Sequence, residues 1–177
     1  TDNGVGVAGM DWQADLLIIR VLDDQGGGSL SDIVSAIDYA IDHDADVINL
    51  SLGGYFSSCG TTLQNKINEA HNAGIVVVAA MGNDGISTPM YPAACDHVIA
   101  VAATDRTDSY AYYSNWGDHV DIAAPGGEIN VLNADGIYST MPTYTVTANG
   151  SPRYRALNYD YWSGTSMAAP LVSGLSA

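Results

Sequence analysis

The run Ile75-Val76-Val77-Val78-Ala79-Ala80 constrains the fold more than any other feature of the chain. Its β-branched residues favour an extended backbone, and it contains no polar position that could face water. Gly82-Asn83 follows it as a turn signal. A short continuous apolar run of this kind reads as a strand buried on both faces. Two-sided burial belongs to parallel sheets covered by helices.

The rest of the chain fits such a sheet. Leu16 to Leu22 reads as a buried strand broken by Gly26-Gly27-Gly28, and Asp46 to Leu52 as another ended by Gly53-Gly54. His97 to Ala102 and Val120 to Ala123 follow. Between them lie helical patterns. Ser29 or Ser31 caps the first helix, with Asp32 placed favourably in its first turn. Ile33, Ala36, Ile37, Ala40 and Ile41 then share one face. Thr62 to Ala73 forms a second helix, with Leu63, Ile67 and Ala70 inward and Gly74 as its stop. Strands alternating with helices predict an α/β domain around a mostly parallel sheet. The length of 177 residues suits one domain.

From Gly126 to Trp162 the rhythm breaks. Tyr138 to Val146 alternates weakly, Asn149-Gly150 is a tight-turn signal, and Arg153 to Tyr161 is rich in aromatics. This predicts a surface β-hairpin insertion at about 127–162. From Thr165 onward, Met167, Ala168, Ala169, Val172 and Leu175 predict a buried helix. The chain starts at Thr1 and stops within that helix, so both ends read as cut.

Composition removes whole classes of partner. Five Lys plus Arg face twenty Asp plus Glu, a formal charge of −15. Nucleic acids and anionic membrane surfaces need clustered cations, and neither is expected as a partner. No apolar run reaches the length of a membrane helix.

The run Gly164-Thr165-Ser166-Met167-Ala168-Ala169-Pro170 carries the chemistry. It places a serine where a glycine turn enters a helix of small residues. Free backbone N–H groups and the positive end of the helix dipole suit a serine nucleophile whose reaction builds an oxyanion. On residue type alone, Ser166 reads equally as a helix cap. Asn83 lies at the carboxyl end of the Val76–Ala80 strand, where parallel sheets bind ligands. Its amide could donate to an oxyanion, or it could be an ordinary turn residue.

Taken together, these runs resemble the subtilisin-like serine protease (subtilase) family. Gly164 to Pro170 matches the family's nucleophile motif, and Val76 to Asn83 its oxyanion strand. Asp46 to Gly54 matches one substrate-binding strand, and Gly26-Gly27-Gly28 the other edge. Tyr91-Pro92-Ala93-Ala94 and Ala123-Ala124-Pro125-Gly126 also fit. The resemblance spans Thr1 to Ala177 apart from the insertion. It implies a three-layer α/β/α sandwich, truncated at both ends, and a partial catalytic domain over 1–177.

The resemblance implies roles. Ser166 is the nucleophile, and Asn83 with the Ser166 N–H binds the oxyanion. Gly26, Gly27 and Gly28 on one side, and Ser51, Leu52 and Gly53 on the other, flank an extended polypeptide substrate. Main-chain hydrogen bonds would hold it as an added strand. The specificity pocket lies between Ser51–Gly53 and Ala79–Gly82, including Ala80. Asp84 stands at its rim and would mildly favour basic side chains, although an exposed charge in water exerts limited pull. An N-terminal propeptide or an inhibitor is an implied partner.

The departures matter as much. The family's Asp and His signatures are absent from this chain. His43, His71, His97 and His119 sit at element ends and loops and read as surface residues. A serine hydroxyl without a base is a weak nucleophile. The chain alone is therefore expected to be inactive. Three functions compete: part of a secreted endopeptidase, a peptide-binding module without chemistry, and a hydrolase of another α/β family. The last lacks support, because Ser166 is not in a Gly-x-Ser-x-Gly elbow.

Cys59 and Cys95 are the only cysteines. They flank a helix–strand unit that could return them to proximity, and some secreted subtilases place cysteines similarly. The alternative is two separate buried thiols. A bridge implies an oxidising, extracellular location. Thr1 to Val7 resembles the family's calcium loop, with the Asn3 side chain and the Thr1, Val5 and Val7 carbonyls as Ca²⁺ ligands. That is a half-site, short of the six to eight oxygens Ca²⁺ takes. A weaker cation site would use the Ala93, Cys95 and Val98 carbonyls with Asp121.

Overall fold

The structure, a computed structural model, describes residues 4–129, 135–144, 147–148, 151–152 and 158–177. Its centre is one parallel sheet of β1 (Val47–Leu50), β2 (Val76–Ala80), β3 (Val98–Thr104) and β4 (Ile122–Pro125), in that spatial order. Helix α1 (Leu30–Asp42) precedes β1, and α2 (Thr61–Asn72) joins β1 to β2. Helix α3 (Thr165–Ser176) follows the insertion.

The sheet is buried on both faces. Val77, Ala79, Ala100 and Ala102 point toward α1 and α2, packing with Ile37, Ala40, Leu63, Ile67 and Ala70. Val78, Ala80, Val101 and Ala103 point the other way, against Ala168, Ala169 and Val172 of α3. Alternation along a strand sends neighbours to opposite layers, so a strand with helices on both sides must be apolar throughout. The uniform Val-Ala run has this cause. Alanines and glycines on the α3 side let a helix of small residues lie close to the sheet.

Ser29 caps α1, its hydroxyl accepting from the Asp32 N–H at 3.1 Å. The α2 face is the expected one, with Leu63, Ile67 and Ala70 buried. Lys66 on α2 bridges Asp38 of α1 and Glu69, at 2.6 and 2.5 Å.

Two expectations change. Leu16 to Leu22 is no strand: no described strand pairs with it, and Leu16 and Ile18 are 81% and 82% exposed. Its apolarity marks a segment made for burial, but only Ile19 packs on the core. Ser166 is not the cap of α3; Gly164 holds that position at φ 151° without a side-chain bond, which leaves the Ser166 hydroxyl uncommitted to capping. The expected hairpin in the insertion is found: β5 (Ile137–Thr140) pairs antiparallel with β8 (Tyr159–Trp162). A short pair, β6 (Thr147–Ala148) and β7 (Ser151–Pro152), lies between them in sequence. Asn149-Gly150 and Arg153 to Leu157 lie outside the described residues.

Candidate active site

The carboxyl ends of β1 and β2 and the N-terminus of α3 meet at a cavity of about 320 Å³. Leu52, Gly53, Gly54, Tyr55, Ala80, Gly82, Asn83, Asp84, Met90, Thr165 and Ser166 line it. Sequence-singled Ser166, Asn83, Leu52, Gly53, Ala80 and Gly82 thus share one concavity. Ser51 joins them through α3. Its hydroxyl donates to the Ser166 carbonyl at 2.9 Å, and the Ser166 hydroxyl makes a longer contact with the Ser51 carbonyl at 3.4 Å. Ser173 on α3 donates to Asn49 Oδ1 at 3.0 Å, and Asn49 Nδ2 donates to Ser51 Oγ at 3.0 Å. The edge of β1 and the serine-bearing helix are therefore one hydrogen-bonded unit.

Asn83 is oriented by the residue before Ser166. Its Oδ1 accepts from the Thr165 N–H at 2.8 Å and the Thr165 hydroxyl at 3.0 Å. The same hydroxyl accepts from the Gly82 N–H at 3.2 Å. With Oδ1 doubly engaged, the amide flip is fixed, and Nδ2 remains a donor at the cavity. Ser166 lies in the first turn of α3, where backbone N–H groups have no intrahelical acceptor. Two donors and a hydroxyl in this setting suit addition to a carbonyl.

The turn under α3 is set by Gly126. Its carbonyl accepts from the Gly164 N–H at 3.0 Å, and its own N–H donates to Thr104 at 2.9 Å. A Cβ there would lie 2.5 Å from Ala103 Cβ and 2.9 Å from the Gly164 carbonyl. Tyr113 donates to the Gly127 carbonyl at 2.6 Å. Burial pushes its phenol up to about 12, with the nearby Glu128 charge adding to the shift.

The pocket walls are braced. Gly54 and Tyr91 exchange two backbone bonds of 2.9 Å, and a Cβ at Gly53 would lie 2.8 Å from the Tyr91 carbonyl. Cys59 and Cys95 form a disulfide just beyond these two segments. Behind the 82–86 loop sits fully buried Asn115. Its Oδ1 accepts from the Asp84 and Ile86 N–H groups at 3.0 and 3.3 Å. Its Nδ2 donates to the Met81 carbonyl at 2.9 Å and to the Tyr55 hydroxyl at 2.8 Å. Tyr55 in turn donates to Asp84. The Tyr55 phenol is raised, first by burial and further by Asp84.

Sequence reasoning missed Asn115 and Tyr55 and gave Thr165 no role of its own. A buried amide in Ser114-Asn115 reads like any turn asparagine. Only its burial distinguishes it.

Other predicted residues do not line this cavity. Gly27 and Gly28 line a separate open groove of about 750 Å³ with Ile19, Arg20 and Tyr39. Gly26 lines neither cavity. Thr1 and Asn3 lie outside the described residues. Val5 and Val7 offer two carbonyls, and no group of three or more His, Cys, Asp or Glu able to hold a metal occurs among the described residues. Asp121 Oδ2 is engaged by the Ala100 N–H at 2.8 Å. Among the described residues, no histidine lines the cavity with Ser166. His43 stacks on Tyr39, and His71 on His97.

The whole chain, residues 1–177, matches the subtilase family of S8 peptidases. The chain belongs to this family. Among curated relatives, a thermophilic serine proteinase of Bacillus sp. (strain AK1) is 47% identical over all of this chain and 38% of its own length. Thermitase of Thermoactinomyces vulgaris is 43% identical over 99% of this chain and 55% of its own. The structure of a protease from Pseudoalteromonas arctica superposes with a TM-score of 0.86 at 41% identity, covering 98% of this chain and 52% of that one. This subtilase chain therefore spans about half, or less, of the proteins it matches. No helix among the described residues is long and apolar enough to cross a membrane.

Proposed function

We propose that this subtilase chain supplies the nucleophile and oxyanion half of a serine endopeptidase. Ser166 Oγ attacks the scissile carbonyl, and an acyl-enzyme forms at that oxygen. Asn83 Nδ2 and the Ser166 N–H take up the negative charge that develops on the carbonyl oxygen. The β1 edge at Ser51–Gly53 and the Gly26–Gly28 segment hold an extended polypeptide, and Ala80 and Gly82 wall the pocket for its side chain. Residues 1–177 form part of the catalytic domain, with the insertion at its surface. The base that removes the Ser166 proton comes from a histidine outside these residues.

The observation that carries this reading is the double grip of Thr165 on Asn83 Oδ1, which aims a free amide donor into the cavity that Ser166 shares. The disulfide supports an extracellular, oxidising location. A propeptide or inhibitor would occupy the same substrate edges. Calcium at the 1–7 loop requires further ligands from outside this chain.

One observation favours a second reading, a peptide-binding module without chemistry: the cavity has no histidine among its lining residues. Peptide hydrolysis by the intact protein decides between them. The endopeptidase reading expects cleavage that Ser166→Ala abolishes; binding without cleavage would leave the module.

A further inference from the structure

Among the described residues, Asp84 is the only charged side chain lining the cavity, and nothing basic lines it. An exposed carboxylate on a loop normally discriminates little, because water and salt screen it and its own rotamers dilute it. Here the second objection is reduced by one side chain. Tyr55, on the opposite wall, donates its hydroxyl to Asp84 Oδ2. The hydrogen-bond logic permits no other arrangement. Asn115 Oδ1 accepts from two backbone N–H groups, so its Nδ2 must be the donor toward Tyr55. The Tyr55 hydroxyl, already accepting, spends its proton on Asp84. The Asp84 backbone is held by the same asparagine. Both ends of Asp84 are thus tied to one buried amide, and the carboxylate is fixed across the mouth of the cavity.

Resting on the peptidase reading, we propose that Tyr55 is a positioning residue that holds Asp84 for substrates with Lys or Arg immediately before the scissile bond. The buried Met90 and Ala80 side chains supply apolar surface for the aliphatic stem. Such side chains bury their methylenes while the cation stays at the wet rim, beside the carboxylate. Ordering the carboxylate before substrate arrives removes part of the entropic cost of the ion pair.

The test uses the intact protein and a matched pair of peptide substrates, one with Lys and one with Phe before the scissile bond. The quantity read is the Lys-to-Phe ratio of kcat/KM, which a general loss of stability does not change. Tyr55→Phe should lower the ratio about threefold to fivefold, in the range of a partly screened ion pair. Asp84→Asn should lower it at least as far. In the Asp84→Asn background, Tyr55→Phe should leave the ratio as it is, because Tyr55 acts through Asp84. Raising salt should lower the wild-type ratio more than that of either variant. A ratio unmoved by Tyr55→Phe, or lowered equally in both backgrounds, would overturn the proposal while leaving the peptidase reading intact. Failure of the wild type to cleave either peptide would overturn both.

Discussion

Asn83 and Thr165, eighty-two positions apart, share two hydrogen bonds that end on one oxygen, at 2.8 and 3.0 Å. The pair joins the end of β2 to the start of α3, and so joins the amide donor to the serine. Replacing Asn83 by Ala removes one preorganised donor. It should lower kcat of the intact protein about 10²–10³-fold with little change in KM. Thr165→Val keeps the shape but removes the hydroxyl that accepts from Gly82 and donates to Asn83. The stranded Gly82 N–H should cost about 1–3 kcal/mol of stability, and kcat should fall. Thr165→Ser should restore both. Steady-state kinetics and denaturant melts check this; a normal kcat for Thr165→Val would show that Asn83 needs no such grip.

Gly126 is a spacing residue under the turn that enters α3. Gly126→Ala would force a Cβ into the Gly164 carbonyl and Ala103. Overpacking of this kind costs about 1–3 kcal/mol. Melting temperature should drop, and kcat should drop further than stability explains, because the displaced element carries Ser166. A loss of stability with unchanged kcat would place the turn outside the chemistry.

Tyr113 makes stability depend on alkaline pH. Its folded pKa lies above the ordinary value of 10.0, at about 12, so folding favours the neutral phenol. The contribution is complete below pH 10 and is lost as pH rises toward 12. Tyr113→Phe should be less stable by about 1 kcal/mol at neutral pH, through the missing bond to Gly127. The gap to wild type should narrow above pH 10. Urea melts from pH 7 to 11.5 check this, and a gap that widens with pH would contradict it.

The disulfide closes a loop of 36 residues. Chain entropy makes such a crosslink worth about 3–4 kcal/mol. Cys59→Ala with Cys95→Ala should lower the denaturant midpoint accordingly, with m raised because the uncrosslinked denatured chain exposes more surface. Without reductant, the unfolded wild type should titrate no thiols; two would mean the bridge is not formed.

The sheet and its helices were legible because burial leaves a periodic mark. The unbroken apolar run of Val76–Ala80 records two covered faces, and Leu63, Ile67 and Ala70 record one. The Leu16–Leu22 run misled for the same reason, since apolarity reports a need for burial and not the partner that meets it. Ser166 and Asn83 were singled out by motif and resemblance, and the fold brings both to one cavity. Asn115 and Tyr55 were not, because their roles arise from contacts 29 to 60 residues away that leave no local pattern. The insertion hairpin was legible too: β5–β8 and β6–β7 pair in one antiparallel register centred between positions 149 and 150, where the Asn-Gly signal placed the turn.

The central claim is that Ser166 becomes a nucleophile only when a base from outside residues 1–177 joins it. Fluorophosphonate labelling followed by peptide mapping tests it most directly, on the intact protein and on the 177-residue chain side by side. The account predicts an adduct on Ser166 in the intact protein and none in the short chain. An adduct on another serine of the intact protein, or labelling of Ser166 in the short chain, would contradict it.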